Sequence, residues 1–266
     1  MSSTPSHSPL IITAVTVIVF FALDAEPWWL FRALTDGPEG AEFLFALTVY
    51  RWLPWILVPI LVAGLLFGPA RALRVLGLDR SPLTGLFAAG VITSILPIIY
   101  ITMTPFRLPE EPMRQILQYA VLPGIGEEAL YRAFLFGMLF RFAGWGFLPA
   151  ALLGAFIFGV GHLSQGGDPM EAAGIFAITA SGAVWFAWLY TEWNYNIWVP
   201  IGFHLLMNFW WLFFDISDTA AGPAYANAAR LAVILISVVV TIIVTRRRGG
   251  RIVTGRRWVR GAGDAR

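Results

Sequence analysis

The sequence contains no cysteine and no lysine, and charged residues of either sign are scarce. The absence of cysteine excludes a disulfide framework, a thiolate metal site and a cysteine nucleophile. Only 13% of the 266 residues are charged, whereas 58% are hydrophobic, and all 18 basic residues are arginine. A soluble domain of this length needs a far more polar surface, so the composition predicts an integral membrane protein.

Long apolar runs separated by short polar loops organise the chain. Most are long enough to cross a bilayer as a helix, which predicts an all-α, polytopic integral membrane protein of about eight transmembrane helices with an intramembrane polar cavity. We predict a disordered N-terminus at 1–9, a single transmembrane domain at 10–245 and a basic cytoplasmic tail at 246–266. The predicted spans are 10–23, 43–67, 83–103, 116–140, 147–162, 172–190, 197–214 and 231–245.

The placement of arginine orients these spans. With a cytoplasmic N-terminus, twelve arginines fall in inner loops or the tail and four in outer loops. The positive-inside rule therefore predicts a multi-pass cell-membrane protein with both termini cytoplasmic. Arginine in place of every lysine indicates a bacterial protein. The tail arginines are expected to contact the anionic lipid bilayer and not nucleic acid, because no folded basic module accompanies them. Trp28 and Trp29, in an acidic outer loop, suit an interfacial belt.

Three ionisable residues interrupt the fourth span: Glu127, Glu128 and Arg132. A charge at bilayer depth costs at least ~2.5–3.5 kcal/mol, so each of them needs a partner or a polar surrounding. Glu128 and Arg132 stand four residues apart on one helix face and are predicted to pair. Glu127 points roughly 100° away from Glu128 and has no partner in the segment. It is therefore predicted to face a polar interior shared with other helices.

Other polar residues also lie within apolar predicted spans. His162 ends the fifth predicted span, and His204 lies in the seventh, one helical turn before Asn208. A single intramembrane histidine is more often an interhelical hydrogen-bond partner than a catalyst. Two histidines, an asparagine in register and an unpartnered Glu127 are least costly when gathered around one cavity. A tilted or broken fourth span, loosened near Pro123, would bring their depths into agreement.

The chemistry open to such a cavity is limited. A carboxylate among apolar groups is suited to act as a general base toward water. Neutral imidazoles and a carboxamide can hold that water, bind a divalent cation or donate to a developing oxyanion. The residues themselves thus predict a water-activating hydrolase within the membrane, with these three roles left open.

Three short motifs follow one another in the chain. They are Glu-Glu-x-x-x-Arg at 127–132, Phe-x-x-x-His at 158–162 and His-x-x-x-Asn at 204–208. In this order, and with one helical segment between the last two, they resemble the CAAX-protease and bacteriocin-processing family (CPBP, Abi) of intramembrane endopeptidases, which includes the type II CAAX prenyl endopeptidase. The resemblance covers roughly 75–212.

The resemblance implies a role for each motif residue. Glu127 would be the base that activates water, with His162 assisting it, and His204 and Asn208 would stabilise the oxyanion. The supporting positions are Glu128, Arg132 and Phe158. The family motifs do not decide whether a metal ion takes part. His162, His204 and Glu127 are possible zinc ligands, or the same residues act without a metal.

The resemblance also implies a class of substrate. We expect a membrane-embedded or membrane-associated peptide or protein, in peptide maturation, bacteriocin immunity or turnover of membrane proteins. A prenylated CAAX protein does not fit the bacterial composition. The sequence predicts no particular oligomeric state.

Three other interpretations compete with this one. Thr179-Ala-Ser181-Gly182 resembles the nucleophile turn of rhomboid proteases, although a small-residue packing face (Ala180, Ser181, Ala183) explains it more simply. Buried charges also mark proton-coupled transporters, but the sequence shows no twofold repeat. The third interpretation is a membrane scaffold or immunity protein of the same fold, in which catalysis is dispensable and Glu127 has no phenotype.

Overall fold

The computed structural model describes residues 7–25 and 40–261 of the chain. This part is all-helical, as predicted, and its only extended pairing is an isolated bridge between Trp145 and Arg260. Its helices are α1 (Pro9–Asp24), α2 (Gly40–Leu47, the π-helical turn Thr48–Trp52 and Leu53–Phe67), α3 (Ala72–Leu76), α4 (Pro82–Thr93 and Ile95–Tyr100), α5 (112–141), α6 (Phe147–Gly161), α7 (Pro169–Glu192), α8 (Trp198–Phe213) and α9 (Ala224–Arg247).

The helices confirm a multi-pass membrane protein but not the count of eight spans. Helices occur at all eight predicted positions. By length and composition, five of them can cross a membrane, and α1 is apolar but shorter. Eight crossings therefore stay a prediction for α1, α5 and α8. The five long apolar segments are Phe43–Phe67, Pro82–Tyr100, Phe147–Gln165, Pro169–Glu192 and Ala224–Arg247.

Helix α5 is the central element, and its backbone changes type along its length. It is neither straight α-helix nor broken: the chain stays helical throughout, with two π-helical segments inside it. Such segments widen the helix locally and are frequent at functional sites. Every residue of the second one is buried, so other helices surround α5 at this level. The segments are Pro112–Ile116, Leu117–Val121 (π), Leu122–Glu127, Glu128–Phe136 (π) and Gly137–Arg141.

Glycines bring α8 close to both α4 and α5. A Cβ atom added to Gly85 of α4 would lie 2.3 Å from the backbone of Trp198, and one added to Gly202 of α8 would lie 2.9 Å from Ala89. On the other side, a Cβ atom on Gly124 of α5 would come within 3.2 Å of the backbone of Leu205. Small residues at helix crossings allow this approach in membrane proteins. The contact places the histidine of α8 beside the acidic residues of α5.

Both predicted terminal segments, 1–9 and 246–266, are described only in part. The first helix begins at Pro9, with Ser8 as its cap, and residues 1–6, Trp28, Trp29 and 262–266 lie outside the described residues. The described part of the tail folds back on the membrane domain. Glu192 at the end of α7 accepts backbone N–H groups of Ile252 (3.0 Å) and Val253 (2.9 Å).

Candidate active site

The Glu128 and Arg132 side chains form a buried ion pair on α5. Arg132 Nε lies 3.2 Å from Glu128 Oε2, and the two side chains are 2% and 0% exposed. The atoms are close but not aligned for a hydrogen bond, and within the described chain neither terminal nitrogen of Arg132 has a hydrogen-bond partner. The guanidinium group instead lies over the ring of Phe158, 4.6 Å from its centroid. Aromatic faces attract a cation in such places.

Glu128 also holds His204 of α8. Its Oε1 atom lies 2.8 Å from His204 Nδ1. Because an ionised carboxylate can only accept, Nδ1 carries the proton of this hydrogen bond. The other ring nitrogen, Nε2, is 3.8 Å from Glu127 Oε2. With Nδ1 donating to Glu128, the His204 ring presents a lone pair on Nε2 toward Glu127 when it is neutral and an N–H group when it is doubly protonated.

Glu127 occupies the last position before the second π-helical segment. It is buried, and the ring of His204 on α8 comes within 3.8 Å of its Oε2 atom. Each ring nitrogen of His204 thus lies near a different carboxylate, Nδ1 near Glu128 and Nε2 near Glu127. This arrangement supplies the polar interior that the sequence requires for an unpartnered carboxylate.

His162 is held by the backbone of its own helix. Helix α6 ends at Gly161, and His162 Nδ1 lies 2.7 Å from the carbonyl oxygen of Phe158. A carbonyl oxygen only accepts, so Nδ1 again carries the proton and the neutral ring keeps a lone pair on Nε2. The His162 and Phe158 rings are 4.4 Å apart. Phe158 therefore contacts both Arg132 and His162.

Asn208 is held by the backbone of a neighbouring helix. Its Nδ2 atom donates to the carbonyl oxygen of Tyr119, at 3.0 Å, in the first π-helical segment of α5. Four residues later stands Pro123, which has no N–H group to offer that carbonyl. An α-helical bond to this carbonyl is therefore impossible, and a side chain of α8 donates to it.

All of these side chains except Glu128 line one cavity of about 1020 Å³. It lies among α5, α6, α7, α8 and α9, and the Ser181 and Gly182 positions of α7 also face it. A Cβ atom added to Gly182 would meet nothing within 4 Å, so this part of α7 makes room for the cavity. Of the predicted packing face, Ala180 lies beside Gly159 of α6, and Ala183 is buried in the core that includes α6 residues. Neither histidine hydrogen-bonds Ser181.

A metal site is not formed by the side chains as they stand. Within residues 7–25 and 40–261, no three His, Asp or Glu side chains converge closely enough to hold a metal ion. Both histidines do have the Nδ1 partner that orients a metal-binding imidazole. The set Glu127, His162 and His204 nevertheless does not converge, and zinc at these residues stays a prediction.

Some contributors to the site carry no sequence signal of their own. Phe186 of α7 stacks on His204, with centroids 5.6 Å apart and planes 29° from parallel. The carbonyl groups of Tyr119 and Phe158 are backbone acceptors, so only Pro123 hints at one of them. Arg230, predicted to lie in an outer loop, instead lies on α9 and lines the cavity.

Comparison with known proteins bears on the matched motifs. Residues 109–210 match the family model described as type II CAAX prenyl endopeptidase Rce1-like. The matched segment contains all three motifs, and the match confirms the resemblance drawn from them. No curated protein and no solved structure matches the chain significantly.

Proposed function

We propose that this multi-pass membrane protein, whose residues 109–210 form an Rce1-like segment, is an intramembrane endopeptidase that activates water with Glu127. The observation that carries the proposal is the contact of Glu127 and Glu128 with His204, at 3.8 Å and 2.8 Å, in the wall of a cavity that also receives His162 and Asn208. One carboxylate, two imidazoles and a carboxamide line the cavity, and a second carboxylate contacts one of the imidazoles, which exceeds what helix packing needs.

The proposed reaction uses two groups that line the cavity, His162 and Glu127. A water molecule in the cavity donates one hydrogen to the lone pair on His162 Nε2 and loses its other proton to Glu127. The resulting hydroxide attacks the peptide carbonyl carbon and forms a tetrahedral intermediate. Glu127, now protonated, returns the proton to the leaving amine as the C–N bond breaks. Each proton taken from water is thereby accounted for.

The negative oxygen of the intermediate needs donors. Asn208 gives one N–H to Tyr119 and has a second available. His204 cannot donate from Nε2 while neutral, because Glu128 fixes its proton on Nδ1. It therefore serves as an oxyanion donor only as the doubly protonated imidazolium. Glu128 and Arg132 act by positioning, since both are almost fully buried and contact His204 and Phe158, respectively.

The remaining expectations belong to the same proposal. The substrate is a membrane-embedded or membrane-associated peptide, the lipid bilayer is the medium, and no nucleic acid takes part. Both termini are cytoplasmic in a bacterial membrane. Zinc is tested by the metal content of purified protein beside His162→Ala and His204→Ala. About one equivalent that both variants lose would establish a metallopeptidase.

The proteolytic role is tested with a mixture of synthetic single-span peptides in lipid nanodiscs, analysed by mass spectrometry. Glu127→Gln keeps the shape of the side chain but removes the base. We expect cleavage to fall about 10²–10⁴-fold with unchanged thermal unfolding. Glu110→Gln, the same change at an exposed loop position, is the matched control. Undiminished cleavage by Glu127→Gln excludes the mechanism, whereas a wild type that cleaves none of the peptides favours the scaffold or transporter alternatives.

A further inference from the structure

The cavity continues well beyond the proposed catalytic residues. Its far end is lined by Trp211 of α8 and by Asn227 and Arg230 of α9. All three lie outside the segment that matches the family model and outside the proposed mechanism. The only basic residue among them is Arg230, and Asp215 and Asp218 also line the cavity.

Arg230 is fixed in one orientation. Its guanidinium carbon lies 3.6 Å from the ring centroid of Trp211. Its Nη1 atom donates to the carbonyl oxygen of Ala220 at 2.7 Å and to Asn227 Oδ1 at 3.1 Å. These partners are all neutral. They hold the group in place without cancelling its charge.

No acidic side chain among the described residues forms an ion pair with Arg230. In the described parts of the chain, no carboxylate oxygen lies within 4.0 Å of the guanidinium nitrogens of Arg230. Asp215, which also lines the cavity, pairs with Arg107 at 3.1 Å. The Nε and Nη2 groups of Arg230 make no hydrogen bond there either. If Arg230 were purely structural, only its Nη1 group would be used, and the Nε and Nη2 donors of a residue that lines the cavity would have no function.

The separation of Arg230 from the proposed catalytic residues gives the number of peptide residues that would reach from one to the other. Trp211 follows His204 by seven residues on α8, which is two helical turns or about 10 Å along the axis. Arg230 stacks on Trp211. An extended peptide advances about 3.3–3.6 Å per residue, so roughly three residues reach from the bond at His204 to the guanidinium group.

We propose that Arg230 binds a carboxylate of the peptide substrate, about three residues from the bond that is cleaved. The proposal rests on the proposed endopeptidase function and narrows its substrate class. Arginine prefers carboxylates because its planar donors match two carboxylate oxygens. The carboxylate comes either from the C-terminus of the peptide or from an acidic side chain, and the two sources are separated by experiment.

The test measures binding and needs no cleavage. Three capped peptides serve as probes: acetyl-Ala-Ala-Leu with a free carboxylate, its C-terminal amide, and acetyl-Ala-Ala-Glu amide. Calorimetry with wild-type protein should show at least about tenfold tighter binding of one or both acids than of the neutral amide. Preference for the first acid indicates a C-terminal carboxylate, and preference for the second indicates a side chain. Equal binding of all three probes overturns the proposal.

Variants assign the preference to Arg230. Arg230→Gln should bind all three probes equally, and Arg230→Lys should keep part of the preference. Arg74→Gln removes an exposed arginine elsewhere and should behave as wild type. A preference that survives in folded Arg230→Gln overturns the assignment. So does a wild type that ignores the probes but loses bound phosphatidylglycerol when Arg230 is changed, because the cation then serves a lipid phosphate.

Failure of this proposal is distinguishable from failure of the proposed function. If the acids bind through Arg230 but Glu127→Gln still cleaves peptides, the carboxylate site stands and the mechanism is wrong. If Glu127→Gln abolishes cleavage and the probes bind equally, the peptidase stands and Arg230 is structural.

Discussion

The two halves of the proposed active site are held in place by different forces. In the charged half, Glu128 contacts both Arg132 and His204, with distances of 3.2 Å and 2.8 Å. These side chains are almost completely removed from solvent. Desolvating such groups costs several kcal/mol per ion, so each depends on the others being present.

In the neutral half, each functional side chain is held by a backbone carbonyl group. His162 uses the carbonyl of Phe158 at 2.7 Å, and Asn208 uses that of Tyr119 at 3.0 Å. A neutral hydrogen bond contributes only about 0.5–1.5 kcal/mol to stability. The Asn208 contact is also open to the cavity, where water can replace a lost partner.

The difference implies that stability and activity separate between the halves. Changes in the charged half should lower both, because a stranded buried charge destabilises the fold. Changes in the neutral half should lower activity with little effect on unfolding. The following predictions test this separation.

The largest effect on stability is expected for Glu128→Ala. It leaves the Arg132 charge buried without a counter-ion and should cost about 3–5 kcal/mol in the free energy of unfolding. It also releases His204 Nδ1, so activity should fall with it. Unfolding in detergent, followed by circular dichroism over a denaturant series, measures the loss.

The same helix provides the control. Glu111 pairs with Arg114 near the start of α5, and its side chain is 60% exposed. Glu111→Ala should therefore cost no more than about 1 kcal/mol. The double variant Glu128→Gln with Arg132→Met should recover part of the stability, because no charge is left unpaired. Equal unfolding of Glu128→Ala and Glu111→Ala contradicts the buried pair.

An intermediate effect, confined to activity, is expected for Asn208→Ala. Removal of one oxyanion donor lowers kcat by about 10²–10³-fold, while the thermal midpoint should stay close to that of the wild type. Asn208→Asp is the sharper variant, since it keeps the size but cannot donate to Tyr119. Single-turnover cleavage and thermal unfolding are measured on the same samples. A large loss of stability with unchanged kcat reverses the comparison between the halves.

The two halves also differ in how far the sequence reveals them. The Glu128–Arg132 pair follows from a spacing of four residues on one helix, and the three motifs identify His162, His204 and Asn208 as a group. The link from Glu128 to His204 spans 76 residues, and no local pattern specifies which carboxylate meets which ring nitrogen. That link nevertheless decides the tautomer of His204, and hence the protonation state in which it can donate.

The fold shows the same division between local and distant information. Apolar length predicts all eight helical positions, and Pro123 indicates an irregular fourth segment. The irregularity is two π-helical segments and not a break. Ser181 and Gly182 line the cavity. Small residues occur both at helix contacts and where a cavity needs space, and the sequence alone does not distinguish the two uses.

The smallest effect is expected for Pro123→Ala, and it tests how the neutral half is built. Alanine restores an N–H group four residues after Tyr119, which competes with Asn208 for the same carbonyl. Activity should fall by about tenfold, the equivalent of one neutral hydrogen bond. Helix stability should be equal or higher, because proline is unfavourable inside a helix. Pro59→Ala, at a proline inside α2, should leave activity unchanged.

The pair Pro123→Ala and Asn208→Ala distinguishes this cause from a general loosening of α5. If the proline acts through Asn208, the double variant should be no slower than Asn208→Ala alone, because the two changes break one interaction. If the two losses multiply, Pro123 acts on α5 independently, and the carbonyl of Tyr119 does not position the proposed oxyanion donor. Single-turnover rates of the four proteins, each normalised to its folded fraction, separate these outcomes.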